Sequence, residues 1–397
     1  MRDLDQNDTP LALKTAETRL ARYLSAELTA ALCSGRPRDH DLFLAASLLA
    51  STRYAISTYL PRRLLAHQLA AEDDGPWLEW VEGALLCADV SGSTALAERL
   101  TALGREGTEV VTAILNSYFG TMIRLIEQAG GDLLTFGGDA LLVLFDGPDP
   151  ARTATALALT LLSELAGFVR AVPNVGSFPL TMHIGIEAGP VALVSAGQPQ
   201  ALRYSLMGSA ARDVARAEGY GGAGELILGP RAWAAVAADA SGAPVADNLN
   251  FMRVWALDGS VPAVPAPPAP PAPAALTLVA LDALARQIDH ISPYLPADLL
   301  TRILADPNQP RVEADLRPVT VLFAQIAGLG AVIEHLPPSE AAAVVDALLC
   351  PLQAAVARFG GFVNKLDLAA DGDKLMAVFG APLAHEDHAE CAARAAL

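Results

Sequence analysis

The chain has 397 residues, with 27 Lys and Arg against 44 Asp and Glu and a formal net charge of -17; at about 150 residues per domain this is length for two or three domains. At 52% hydrophobic and 18% charged, it is too apolar for disorder as its dominant state. The acidic balance, without a Lys/Arg-rich run, excludes a phosphate-backbone binder, so nucleic acid is not an expected partner and a nucleotide would have to be held through metal.

The N-terminus, MRDLDQNDTP, lacks the basic start and apolar core of a secretory signal. Helices are predicted over 11–34 and 42–60, and residues 1–80 read as a helical N-terminal region for packing or subunit contact. A buried strand follows in ALLCADVSGST (84–94) and enters a glycine-bearing turn and a helix. Val110, Val111, Ile114, Leu115, Tyr118, Met122 and Ile126 form the apolar stripe of an amphipathic helix, a core face. GGDLLTFGGDALLVLFDGP (130–148) reads as a β-hairpin, followed by a helix over about 150–169. Next come a strand pair in MHIGIEAGPVALVSAG (182–197) and a helix from Ser209 to Glu218.

The stretch 154–168 is the longest apolar one noted. It contains Ser163 and Glu164 and falls short of the ~20 residues a bilayer span needs, so a soluble cytoplasmic chain with no transmembrane segment is expected. The four cysteines, Cys33, Cys87, Cys350 and Cys391, show no CxxC and no histidine at zinc-ligand spacing, and read as reduced core thiols.

VPAVPAPPAPPAPA (261–274) is a polyproline-type spacer, and the segments flanking it resemble each other. YLPRRLL (59–65) recurs as YLPADLL (294–300). ALLCADVSGST matches TVLFAQIAGLG (320–330), and the first hairpin matches GGFVNKLDLAADGDKLMAVFGAP (360–382), which carries four extra residues. The expected organisation is a first domain at 81–258, a Pro/Ala linker at 259–275, a helical linker at 276–317 and a partial second copy at 318–397. A strand, helix, hairpin, helix and strand make a ferredoxin-like βαββαβ sheet, hence an α+β class with helices on one face.

Asp89 ends the first strand and Asp139 sits at the hairpin tip expected beside it, so the two carboxylates can converge on one or two hard cations, magnesium above all. The small-residue turn Ser91, Gly92, Ser93 and Thr94 then opens a helix whose first N-H groups can receive phosphate oxygens. Either acid alone reads equally as a helix cap or a turn residue. No Ser/His/Asp or Cys/His arrangement stands out, and His183 reads as a core or surface residue.

Together, CADVSGST and FGGDALLVLF resemble the class III nucleotidyl cyclases, whose first strand reads FADxSGFT and whose hairpin reads GD before an apolar strand; Ser93 stands where the family usually has Phe. The tandem copies and the NKL and FGAP stretches are similar to the soluble adenylyl cyclase group. The resemblance implies that Asp89, Asp139 and the Val90 carbonyl hold two Mg2+ or Mn2+ ions. It also implies that Ser91 to Thr94 and Gly138 meet the nucleotide, and that ATP becomes cyclic AMP by two-metal displacement. The site would lie between tandem domains paired as a pseudo-dimer, or in a homodimer, with Lys365 of the second copy at the purine position and favouring ATP. A degenerate second site would combine Thr135, Arg212 and Arg216 with Gln325, which replaces the first metal Asp. Thr135 and Ala215 stand where relatives bind bicarbonate, so bicarbonate regulation is not implied. Arg212 also replaces a family Asn. The strands and Asn/Arg helix that complete a cyclase domain are not found between 318 and 397, so weak or no turnover is expected of these 397 residues alone. Two alternatives are a non-catalytic nucleotide-binding or dimerisation module, and a guanylate or diguanylate cyclase, although Ala140 replaces the Glu that GGDEF hairpins carry.

Overall fold

The computed structural model describes residues 9–34, 36–71, 75–172, 176–260, 276–308, 317–367 and 373–397. The Pro/Ala run at 261–274 and the second hairpin's turn at 368–372 lie outside them. In chain order the elements are α1 (Thr9–Leu20), α2 (Ala26–Cys33), α3 (Asp39–Ser57), α4 (Arg62–Ala70), β1 (Trp77–Ser91), α5 (Ser93–Thr101), α6 (Arg105–Gln128), β2 (Asp132–Gly137), β3 (Ala140–Phe145) and α7 (Pro150–Glu164). They continue with β4 (Val169–Val172), β5 (Gly176–Pro179), β6 (Thr181–Ala196), β7 (Arg203–Met207), α8 (Ser209–Gly219), β8 (Leu226–Leu228), α9 (Pro230–Val236), β9 (Ala240–Val245) and β10 (Asn248–Leu257). Last come α10 (Leu278–Ile291), α11 (Ala297–Ala305), β11 (Thr320–Ile326), α12 (Leu329–Ile333), α13 (Pro338–Arg358), β12 (Gly361–Asp367), β13 (Asp373–Phe379) and α14 (His388–Ala395).

The chain divides into two compact units. One is helical and joins α1–α4 to α10 and α11. Its core takes Leu20, Leu49 and Ile56 from the N-terminal side and Leu281, Ala285 and Ile288 from α10. Arg19 pairs with Asp282 at 2.5 Å and with Asp289 at 3.0 Å. The repeated YLP segments adopt one local form: Pro61 and Pro296 cap α4 and α11 with nearly identical extended backbones, and Gln68 donates to the Tyr294 hydroxyl at 2.7 Å.

The other unit holds the sheets. Strands run β2-β3-β1-β6, the antiparallel order of a ferredoxin-like βαββαβ unit, and β8, β10 and β9 extend the same sheet beyond β6. β1 is buried on both faces. Ala84, Leu86, Ala88 and Val90 share the core formed with α5, α6 and α7, whereas Val81 and Leu85 pack under Ala210, Ala211 and Val214 of α8. The expectation of helices on one face is therefore corrected: α8 covers the opposite one. Apolar residues at helical spacing show that a helix is buried on one side, not which face of a sheet it covers.

Two further expectations change. Residues 182–197 are not a strand pair: β6 is one strand of 16 residues paired with β1 from Trp77↔Ser195 to Ser91↔Thr181. Gly189 and Pro190 suggest a turn, yet they lie within the ladder opposite Gly83 and Glu82. α7 ends at Glu164, short of 169, and a small β4–β5 ribbon follows.

The second copy forms a three-stranded sheet, β11-β13-β12, backed by α12, α13 and α14. Its core is continuous with the first copy: Leu349 and Val356 of α13 share a cluster with Leu78, Ala192, Val194 and Met207. Among the described residues α13 is also the one helix long and apolar enough to cross a membrane; it buries Ala341, Ala342, Val345, Leu349 and Val356 in this core.

Candidate active site

Alternation along β1 puts Asp89 on the face of Leu85, the face that α8 covers. Directly across the ladder is His183. Asp139 follows Gly138 in the two-residue turn between β2 and β3, and Gly138 takes φ +80°, the left-handed form such turns need. This turn brings Asp139 to Asp89. Burial, then the Asp139 charge and a hydrogen bond with its carboxyl, push the Asp89 carboxyl above the ordinary range.

The turn at 91–94 locks the second acid. Gly92 has φ +96°, and a Cβ there would stand 2.6 Å from the Pro179 carbonyl oxygen. The buried Ser93 hydroxyl lies 3.2 Å from the Val90 carbonyl oxygen and also meets the Asp139 carboxylate. Ser91 is half-buried, while Gly92 and Thr94 are exposed at the start of α5, where first-turn N-H groups lack intrahelical acceptors.

Two carboxylates and one carbonyl, all oxygen donors, form a set suited to a hard dication. The mutual repulsion that raises Asp89 is what such a cation relieves, so the residues present fit the implied metal.

Sequence reasoning missed two more groups here. His183 Nε2 lies 2.6 Å from Glu218 Oε1 and 3.7 Å from Asp89 Oδ2, and Nδ1 is 3.4 Å from Ser91 Oγ. The hydrogen bond to Glu218 pushes the His183 pKa up against the opposing effect of burial. α8 reaches this point because residue 185 is glycine: a Cβ there would meet the Glu218 nitrogen at 2.2 Å. The one local signal for His183 was its place in a strand next to the acidic one, and its role depends on pairing across about ninety residues.

The second copy preserves the frame and alters the chemistry. Both hairpins slip register at the same place, between Leu133 and Thr135 and between Val363 and Lys365, so Thr135 and Lys365 occupy equivalent positions beside a β-bulge. Thr135 donates to the Phe136 carbonyl at 3.4 Å. Lys365 is half-buried on β12, and β12 is gripped by the first copy. Arg203 donates to the Val363 carbonyl at 2.9 and 2.5 Å, and Ser205 to the Leu366 carbonyl at 3.4 Å.

In the β11–β13 ladder Ile326 faces Asp373 and Gln325 faces Lys374. Gln325 thus stands where β1 has Asp89, and Asp373 stands where the first hairpin has Asp139. The Gly-Asp pair at 372–373 before KLMAVF was the available signal for Asp373. Arg212 lies 3.7 Å from Glu334 and close over Gly330. Burial pushes Asp373 up to about 6, partly offset by the Arg212 charge. Arg216 pairs instead with Asp213 on its own helix at 3.1 Å.

The four cysteines are half-buried; Cys87 and Cys391 pack at the edges of two cores and not inside them. Against the expectation of no histidine near a cysteine, His385, Asp387 and Cys391 gather where α14 begins.

Compared with known proteins, residues 82–240 match the family described as adenylate and guanylate cyclase catalytic domain. Over 161 residues the chain is 27% identical to adenylate cyclase type 10 of Oryctolagus cuniculus, which covers 40% of this chain and 10% of that protein. Over 171 residues it is 25% identical to adenylate cyclase 1 of Rhizobium meliloti (strain 1021), covering 42% and 25%. The chain thus spans a minor part of these relatives' length. Among solved structures it is similar to the adenylyl cyclase CyaB from P. aeruginosa, at 19% identity and TM-score 0.38, covering 47% of this chain and 99% of that one. With the family match over the segment that carries Asp89 and Asp139, residues 82–240 are a class III adenylyl/guanylyl cyclase catalytic domain.

Proposed function

We propose that the chain is an adenylate cyclase module of intracellular signalling, acting in the cytoplasm and converting ATP to 3',5'-cyclic AMP and pyrophosphate. The observation that carries this reading is the convergence of Asp89, Asp139 and the Val90 carbonyl at one end of β1, beside the helix start at 91–94. In the reaction the ribose 3'-oxygen bonds to the α-phosphorus as the bond to pyrophosphate breaks, and the hydroxyl proton leaves to solvent.

Asp89, Asp139 and the Val90 carbonyl would hold two Mg2+ or Mn2+ ions, which when bound neutralise the triphosphate and lower the pKa of the 3'-hydroxyl. The chain's own residues do the positioning. Ser93 holds the Asp139 carboxylate, and the amides of Ser91 to Thr94, with Gly138 across the cleft, receive phosphate oxygens. Lys365 supplies the purine contact that favours ATP over GTP, with the two copies paired as a pseudo-dimer or two chains as a homodimer. Thr135, Arg212, Arg216 and Gln325 belong to the second cleft, which lacks the first metal acid.

The test is to incubate the chain with Mg-ATP, Mn-ATP and Mn-GTP, to separate the products, and to measure binding of a non-cyclisable ATP analogue. Weak turnover, with cyclic AMP in excess over cyclic GMP, is expected. Analogue binding without product would assign the chain as a non-catalytic nucleotide-binding module, and loss of both binding and product would overturn the reading.

A further inference from the structure

The first cleft holds a second set of ligand atoms that shares Asp89 with the two-ion site and adds His183 and Glu218, which two-ion phosphoryl chemistry leaves unused. One atom each from Asp89, His183 and Glu218 lies within 4.8 Å of the others. The side chains are 30%, 15% and 24% exposed, so an ion can enter while the ligands stay anchored. Asp89 and His183 are held face to face by the β1–β6 ladder, and Glu218 by the close approach of α8 to Gly185. The other ring nitrogen of His183 points at Ser91 Oγ, the kind of outer contact that fixes the orientation of a ligating imidazole.

The chemistry differs from that of the magnesium pair. Imidazole with carboxylates suits zinc, cobalt and similar ions, whereas magnesium seeks oxygen alone. At zinc distances of about 2.0–2.1 Å to nitrogen and 2.0–2.2 Å to oxygen, neighbouring tetrahedral ligand atoms stand about 3.4 Å apart. The observed 2.6 and 3.7 Å bracket that value and the Asp89–Glu218 separation is no more than 4.8 Å, so side-chain rotation without backbone movement can bring the three atoms to zinc spacing. Zinc would displace the proton now shared between His183 and Glu218, and water would complete the shell.

We propose that Asp89, His183 and Glu218 form a site for a zinc-type dication that competes with the cyclase metals through the shared Asp89. The site itself stands on geometry; the competition rests on the cyclase reading above.

Titrations use the chain carrying Cys391→Ser, since His385, Asp387 and Cys391 form the other described cluster of this kind. Co2+ added without nucleotide should give one equivalent with visible absorption bands, displaced by Zn2+. His183→Gln and Glu218→Gln should each weaken Zn2+ binding at least about tenfold. If His183→Gln loses its native circular dichroism, Glu218→Gln alone decides. Unchanged Zn2+ affinity in a folded variant overturns the site. In the cyclase assay at fixed Mg2+, Glu218→Gln should raise the half-inhibiting Zn2+ concentration at least about tenfold, and zinc that binds without inhibiting overturns the competition. A chain that binds Co2+ at this site but neither binds nor converts nucleotide would leave the site standing and remove the cyclase reading instead.

Discussion

The same strand is buried on both faces in one copy and on only one in the other. In β1, Leu85 is inaccessible and Cys87 half-buried beneath α8. In β11 the equivalent Val321 and Phe323 are 40% and 61% exposed, and no described helix lies over them. The clefts at the ends of these strands diverge as well. The first gathers Asp89, Asp139 and Glu218 around one histidine. The second has Gln325 in place of the first acid and brings Arg212 beside Asp373 and Glu334. One cleft needs a cation from solution, while the other carries its own on a side chain.

The largest expected effect separates the clefts chemically. Asp89→Ala should lower cyclic AMP formation on the order of a thousandfold, and Gln325→Ala should change it by less than about threefold; equal losses would erase the distinction. Next comes packing. Leu85→Ala, under α8, should cost about 3 kcal/mol, against less than about 1 kcal/mol for Val321→Ala on the open face, read from urea unfolding of the two variants.

The third test uses pH. Burial pushes the folded-state Asp373 carboxyl up to about 6, from an ordinary 3.8. The folded state therefore binds the extra proton between these values, and stability falls as pH rises through the window, by up to about 3 kcal/mol. Asp373→Asn should leave Tm almost unchanged at pH 3.5 and raise it relative to the parent at pH 7; a Tm difference that does not grow with pH would refute a buried acid. The smallest effect is expected of Ser93→Ala, which frees the Asp139 carboxylate and should weaken Mg2+ binding about tenfold, measured by calorimetry with an ATP analogue.

The legible parts of this fold were those written in local pattern. The continuous apolar run of 84–88, the stripe from Val110 to Ile126 and the Gly-Asp hairpin tip each announced an element, and the internal repeat fixed the equivalence of the two hairpins. What escaped was set by distant pairing. Gly189-Pro190 resembled a turn because its partner Gly83 lies more than a hundred residues away. His183 looked inert because nothing nearby shows that it faces Asp89. Glu218 became part of the cleft through Gly185, a residue whose only message is the absence of a side chain. Asp373 stands in a Gly-Asp context like that of Asp139, but its burial and its Arg212 neighbour are set by packing between the two copies.

Helix α8 joins the two clefts. Arg212 near its start meets the second copy and Glu218 near its end meets His183, six residues and about 9 Å apart along one rigid axis. With Ala210, Ala211, Val214 and Ala217 all inaccessible, the helix has little room to bend between them, and close-packed interiors transmit displacement instead of absorbing it. The Arg212 contact with Glu334 and the Glu218 contact with His183 therefore share one backbone, so neither cleft can reposition its α8 side chain by moving the helix without disturbing the other.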